Sequence, residues 1–492
     1  MKITTRAILA AIAVLCTATS AVAQQEDPLK AAAAKALATN PDVSARLNAY
    51  RASVDAIDVA RAAYRPRLDL SANVGRDSDS IITQTPQSRS ISRTGASLNL
   101  SQLLWDGLGT QREVERTGHD KLARYFELLD TTEQTALEAA RAYYDVLRYR
   151  RLVQLAEDNY VQHKYASLQI QSRFKAGVGR GVDLEQANAR LALAESNLST
   201  EVANLHDVTA RYQRIVGEAP PKQMPTAIPM VKSVPATSDE AMSLAIRQNA
   251  SISASIEALR GTRSMVEERR SLYQPRIEAR LRSGAGRNFD GILDQQRFSS
   301  AEIVLNWNLY NGGADQAHLR QQVSLMTQAE DQRDKACRDT RQLVAVAYND
   351  TRKLVEQIEL LDRNTIAIEK ARDAYRQQFD IGQRSLLDLL NAENEVYTAR
   401  RAYANAEYDL AIAYVRTLAE MSSLTSQLGL ARLDAVAAEA ANWSAGEDAP
   451  GRCPVLIADV TATDRALLDE RARRIVDSLS PATPPAPANP KP

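Results

Sequence analysis

The chain carries the same order of landmarks twice, and this constrains its fold more than any other feature. Leu37-Ala-Thr-Asn40 matches Ile246-Arg-Gln-Asn249, and Tyr64-Arg-Pro66-Arg-Leu68 matches Tyr273-Gln-Pro275-Arg-Ile277, at a constant offset of 209 residues. Further on, Trp105-Asp106-Gly107 aligns with Tyr310-Asn311-Gly312, and Phe174-Lys-Ala-Gly177 with Phe379-Asp-Ile-Gly382, at an offset of 205. The four lost residues fall between Pro275 and Tyr310, where a surface loop absorbs a length change cheaply. The reading is an internal twofold repeat: a first unit over 24–220, a linker over 221–238, a second unit over 239–430, and an extension over 431–492 with a Pro-rich, disordered end.

Each unit opens with a helical stretch, about 28–64 and 239–273, ended by Pro66 or Pro275, which lacks a backbone donor and disfavours helix just before it. Strand patterns follow. Leu68, Leu70, Ala72 and Val74 alternate with Asp69, Ser71 and Asn73, and Ile277, Ala279 and Leu281 with Glu278, Arg280 and Arg282. After a polar loop, Leu98 and Leu100 alternate with Asn99 and Ser101, while Ile303, Leu305, Trp307 and Leu309 alternate with Val304, Asn306 and Asn308. These predict β-hairpins over about 67–105 and 276–310, with strands of membrane-crossing length. From Gln111 to Phe174, and from Asp315 to Phe379, Pro is absent and Gly nearly so, which allows helices roughly 95 Å long at 1.5 Å per residue. Val344, Ala347, Leu354, Ile358, Leu361, Ile368, Tyr375 and Phe379 follow the 3-4 spacing of a coiled-coil seam, interrupted by Thr351, Thr365 and Arg372. Leu122, Phe126, Leu129, Ala136, Ala140, Tyr143 and Leu147 repeat it in the first unit. Turns at Gly177 and Gly382 precede returning helices, giving helical hairpins over about 111–217 and 315–430.

Several classes drop out. Lys plus Arg equals Asp plus Glu at 61 each, so no global field draws in nucleic acid. The scattered His119, His163, His206 and His318 form no metal-ligand spacing and read as surface or pore-lining side chains; no metal or cofactor is expected. No catalytic triad or paired carboxylate recurs near a pocket-forming loop, so the chain does not read as an enzyme. Gly177-x-Gly179-x-Gly181 lacks the preceding strand and the Lys-Ser/Thr of a phosphate loop and reads as a helix-hairpin turn. Lys2 and Arg6 before the apolar run Ala7–Leu15, with Ala21-Val22-Ala23 after it, read as a signal peptide over 1–23. Leu15 stands before Cys16 where a lipoprotein signal takes a small residue, so Cys16 reads as unacylated. That leaves Cys337 and Cys453, room for one disulfide and no framework. Past the signal no apolar run reaches 18 residues, so any membrane crossing falls to the strands. About Thr463 to Leu479 an amphipathic stretch suggests a short helix lying on the helical tunnel.

Four strands cannot close a barrel; about eight are needed to fill one with side chains and leave no open edge. Three chains would supply twelve, with polar residues facing the lumen and apolar ones facing lipid. The competing expectation is a periplasmic coiled-coil scaffold with small soluble hairpins and no pore.

With Asn40-Pro41, Tyr64-x-Pro66, the repeat, and the Phe-x-x-Gly turns followed by Asp183 or Asp388, residues 28–430 resemble the TolC-like outer-membrane efflux proteins, which serve type I secretion and tripartite drug and metal pumps. The resemblance implies an α+β outer-membrane protein: a homotrimeric twelve-stranded barrel, in contact with outer-membrane lipid, continuous with a periplasmic coiled-coil helical tunnel that is open outside and constricted at the helix tips. It implies as partners a periplasmic adaptor (membrane fusion) protein and an inner-membrane transporter of ABC or RND type. It places a pore constriction at Asp388 and Asn391, the latter neutral where the family carries an acid, and a latch at Arg384 and Asp183 that lacks an aromatic hydroxyl at Phe379. An acid at Asp388 or Asp183 also simply complements a helix N-terminus. The unacylated signal, the neutral second position and the long tail lean toward the type I secretion branch.

Overall fold

The computed structural model describes residues 27–80, 82–83, 85, 88–227, 229–430, 440, 442–453 and 464–479. The expected signal peptide and the Pro-rich end lie outside these residues. The stretches expected as single opening helices are each split at an asparagine. α1 (Pro28–Thr39) and α2 (Pro41–Ala62) meet at Asn40, and α5 (Ser238–Gln248) and α6 (Ala250–Ser271) meet at Asn249. Each asparagine has extended φ/ψ, and its side-chain oxygen caps the next helix, from Asp42 N at 2.8 Å and from Ile252 N at 3.1 Å.

β1 (Arg67–Ser80) and β2 (Ser88–Trp105) form one hairpin, β3 (Arg276–Arg287) and β4 (Arg297–Asn306) the other. They pair antiparallel into one sheet of order β1-β2-β3-β4. The second hairpin stops short of expectation: Trp307 and Leu309 lie past the end of β4, where the Trp307 indole donates to the Tyr273 carbonyl at 3.1 Å. Gln102 likewise donates to the Tyr64 carbonyl at 2.9 Å, so the tyrosine before each Pro turn anchors the returning strand.

α3 (Gly109–Lys175) and α7 (Ala314–Asp380) are each 67 residues, about 100 Å long. They start where Asp106 accepts from Thr110 N (2.8 Å) and Asn311 from Asp315 N (3.3 Å), which explains the Trp-Asp-Gly and Tyr-Asn-Gly landmarks as caps. α4 (Gly181–Val216) returns along α3, and α8 (Leu386–Glu420) along α7, followed by the short α9 (Leu424–Gln427). All eight apolar positions of the α7 seam are buried or half-buried. The main core lies around the middle of α3, where Ala136, Ala139, Ala140 and Val146 meet Ala33 and Ala36 of α1, Ala241 and Ala245 of α5, and Val415 and Leu418 of α8. Alanines there let helices approach closely. Tyr143 and Tyr348 donate to the carbonyls of Pro225 and Ala236, fastening the linker between the two halves.

Residues 442–453 pack against the α6–α7 pair as a strap. The Trp443 indole donates to Glu257 at 2.6 Å and its ring meets Phe126 edge-on at 4.9 Å. Asp448 pairs with Arg260 and Arg263, and Arg452 with Asp331 and Asp334. Cys453 closes a disulfide with Cys337 of α7, across 116 residues. Separately, α10 (Arg465–Leu479) forms where the amphipathic stretch was expected. No helix among the described residues is long and apolar enough to cross a membrane.

Candidate functional site: the sheet face and the helix tips

The strand register sorts the sheet into two unlike faces. Leu68, Leu70, Val74, Leu98, Leu100, Leu281, Ile303 and Leu305 share one face, and Asp69, Ser71, Ser97, Asn99, Arg280, Arg282 and Glu302 the other. On the apolar face Val74 is 84% exposed and Leu70 and Ile303 are exposed to a similar degree, so none of the described residues covers it. Among the described residues, β1 and β4 each have one edge without a neighbour in the sheet.

At the opposite end of the long helices, α3 and α7 terminate in the same device. Gly177 (φ +73°) and Gly382 (φ +79°) take the left-handed conformation after the cap. Gly177 N donates to Phe174 O and Val178 N to Arg173 O; Gly382 N donates to Phe379 O and Gln383 N to Gln378 O. These paired bonds satisfy the last carbonyls of each helix. Under the turns, Phe379 is buried with Ile170, Ala187, Leu386, Leu389 and Leu390, and Arg173 stacks on its ring at 5.1 Å. The aromatic position thus serves packing between the two helical hairpins.

The remaining candidate residues lie around this cluster. Ser385 caps α8, accepting from Asp388 N at 3.2 Å and bonding the Asp388 carboxylate at 2.9 Å. Arg384 donates to Gln378 at 2.9 Å, lies 3.7 Å from Asp388 and stacks on Tyr375 at 4.5 Å. Asp183 sits in the first turn of α4; within this chain, among the described residues, no bond joins it to Arg384. Asn391 turns away from Asp388: its oxygen accepts from Arg190 of α4 at 2.7 Å.

That last bond belongs to a series sequence reasoning missed. Going up from the tips, Arg376 of α7 bonds Gln162 of α3 (2.7 Å), Arg401 of α8 bonds Glu201 of α4 (2.8 Å), and Arg148 of α3 bonds Asp409 of α8 (2.6 Å). Each rung joins a helix of the first hairpin to one of the second. Between the first two rungs, Glu393 is buried and accepts from both Arg372 (3.1 Å) and Arg376 (2.5 Å). Beside it, His163 is 2% exposed, correcting its reading as a surface or pore-lining group. Burial pushes the imidazole pKa down, Glu393 opposes that shift and Arg190 adds to it. The Asn159 amide and His163 Nδ1 have no hydrogen-bond partner among the described residues; a cavity of about 300 Å³ lined by Asn159, Gln162, Arg376 and Glu393 gives the Asn159 amide room for water. His119 is likewise no free surface group, lying 2.7 Å from the buried Glu257. Among the described residues no cluster suited to a metal ion occurs.

A sheet of membrane-length strands with one bare apolar face, carried on coiled helices about 100 Å long, defines the class of outer-membrane channel proteins. The chain belongs to the outer membrane efflux protein family, whose model matches residues 32–218 and 241–422. It is similar to the outer membrane efflux protein BepC of Brucella suis, at 25% identity over 430 residues covering 86% of this chain and 92% of the relative. It is also similar to the alkaline protease secretion protein AprF of Pseudomonas aeruginosa, 25% identical over 451 residues covering 87% and 91%. The fold matches the crystal structure of a membrane protein from Pseudomonas aeruginosa with a TM-score of 0.73 at 18% identity, covering 80% of this chain and 93% of that one. The protein is therefore a TolC-type outer-membrane channel with a large periplasmic part, and its family and fold are those of channels, not enzymes.

Proposed function

We propose that three copies of this chain form a twelve-stranded barrel continuous with a helical tunnel, the exit duct of a type I secretion system or tripartite efflux pump. The observation that carries this reading is the bare apolar sheet face flanked by the unpaired edges of β1 and β4. An apolar face of that size needs a cover, and open edges need partners; copies of the same chain supply the second and lipid the first. The matching order of helix, helix, hairpin, long helix and returning helix over 28–216 and 238–420 supports the internal repeat, whose halves act as like staves of one tube. Protein cargo is favoured by the protease-secretion name of AprF. An adaptor and an inner-membrane transporter of ABC or RND type complete the path.

The test is membrane fractionation, heat-modifiability on gels and conductance in planar bilayers. A detergent-extracted, heat-modifiable trimer that conducts is the expected result; a monomer extracted without detergent leaves the scaffold reading standing instead. Deleting the gene and scoring secreted proteins against drug sensitivity assigns the cargo.

At the tips, three copies of Asp388 would ring the mouth, and Arg384 would reach Asp183 of a neighbouring copy as a latch. Within its own chain, among the described residues, Arg384 contacts Gln378, Asp388 and Tyr375 at a half-exposed site, where one ion pair contributes about 0–1 kcal/mol. Arg384→Glu should therefore leave the fold intact while repelling Asp183 and Asp388, and single-channel conductance should rise several-fold. Conductance equal to that of the unaltered protein would remove Arg384 from the latch.

A further inference from the structure

The turn between β3 and β4 does not continue outward from the strands. Asn288 and Asp290 have positive φ of 49° and 56°, and Phe289–Gly291 forms a single 3₁₀ turn that folds the chain back over the sheet. Phe289 is 2% exposed. Its ring rests on glycines. A Cβ on Gly284 would stand 2.2 Å from Phe289 Cζ, and one on Gly95 would stand 2.6 Å from its Cδ2. Glycine within a strand marks close approach by another group, and here that group is this ring.

The register fixes which face is covered. Gly284 pairs with Ser97 and Gly95 with Gly286, in line with Asn99, Arg282 and Ser71, so the turn lies on the polar face, away from lipid. Asn288 donates to the Ser92 carbonyl of β2 at 2.8 Å, and a Cβ on Gly291 would stand 3.0 Å from the Asp77 carboxylate of β1. The turn thus crosses the polar face of three of the four strands. Arg282 is held between two rings, 5.6 Å from Phe289 and 5.7 Å from Phe298, and pairs with Asp290 at 2.8 Å. Beneath the turn Ser97 is only 7% exposed, while its neighbour Leu98 on the apolar face is exposed.

We propose that residues 288–294 are an inward-folded lid at the end of the barrel farthest from the helices, a second constriction besides the helix tips. This inference rests on the trimeric-channel reading. Three lids would narrow the exit to an opening bordered by Arg282, Phe289 and Phe298 from each copy, and cargo must unseat Phe289 from its glycine cradle to leave. The exit of this channel is therefore selective by size.

Accessibility of Ser97→Cys to maleimides added outside intact cells tests the lid; Cys337 and Cys453, joined to each other, do not compete. A bulky polyethylene-glycol maleimide should react slowly with Ser97→Cys alone. It should react about tenfold faster or more when Phe289→Ala empties the cradle, because labelling follows the open population. Gly284→Leu, which expels the ring from the other side, should give the same gain, with the heat-modifiable trimer retained in both. A bulky reagent that labels the site equally fast with and without Phe289 seated overturns the lid alone. A site that neither small nor bulky reagent reaches in any of the three backgrounds overturns the channel reading beneath it.

Discussion

Glu257→Ala should destabilise the packing of strap, α3 and α6 by about 3–5 kcal/mol, the cost of removing one partner from a buried charge network. The Glu257 side chain has no exposed surface, yet it takes donors from three segments: His119 of α3 (2.7 Å), Trp443 of the strap (2.6 Å) and Arg260 of its own helix (2.7 Å). Alanine would leave the Trp443 indole and His119 without this acceptor, while Arg260 keeps its pair with Asp448. Burial raises the Glu257 pKa, but the bonds from His119 and Trp443, with the charge of His119 and Arg260, outweigh it and hold the carboxyl below its ordinary range. The sign for stability follows. The contribution is complete above the unfolded carboxylate pKa of about 4.3 and is lost as pH falls through the lower folded value. Glu257→Gln, which keeps the shape, should cost less and flatten that acid limb. Urea midpoints of the purified protein at neutral and acidic pH measure both effects; an alanine variant within about 0.5 kcal/mol of the parent would mean the network contributes nothing.

Cys453→Ser should cost about 2–5 kcal/mol, since a native disulfide closing a loop of 116 residues removes a large conformational space from the unfolded chain. Reductant should lower the urea midpoint of the parent by the same amount and leave the serine variant unmoved. Both substitutions release the strap, so the double variant should lose less than the sum of the two. Full additivity would show that Trp443 and Cys453 hold the strap independently.

Much of the architecture was legible because its signals are local and periodic. A span without Pro, the seam from Val344 to Phe379, and the alternation around Leu68 and Ile303 each state their structure within a few turns or strands. The breaks at Asn40 and Asn249 were missed because an asparagine inside a helical pattern is weak unless its capping bond is known. The strap was invisible for another reason. Trp443, Asp448 and Cys453 meet partners more than a hundred residues away, in a segment with no periodicity of its own. His163 could have been found: it is spaced with Asn159, Ala166 and Ile170 on one buried helical face. The lid had a signal too, in Gly95 and Gly284, two glycines inside strand patterns. At the tips the bonding was not legible, because Asn391 answers to Arg190 on another helix.

The bond from Cys337 to Cys453 has a mechanical meaning as well. It closes a covalent ring that contains α7 from Cys337 to its tip, the turn at Gly382 and the whole of α8, whereas the hairpin of α3 and α4 is an open thread. A load at the mouth can swing or bend the ringed hairpin, but it cannot draw it out, because the pull stops at Cys337. The half that carries Arg384 and Asp388 is thus covalently tied at its base, and the other half is not.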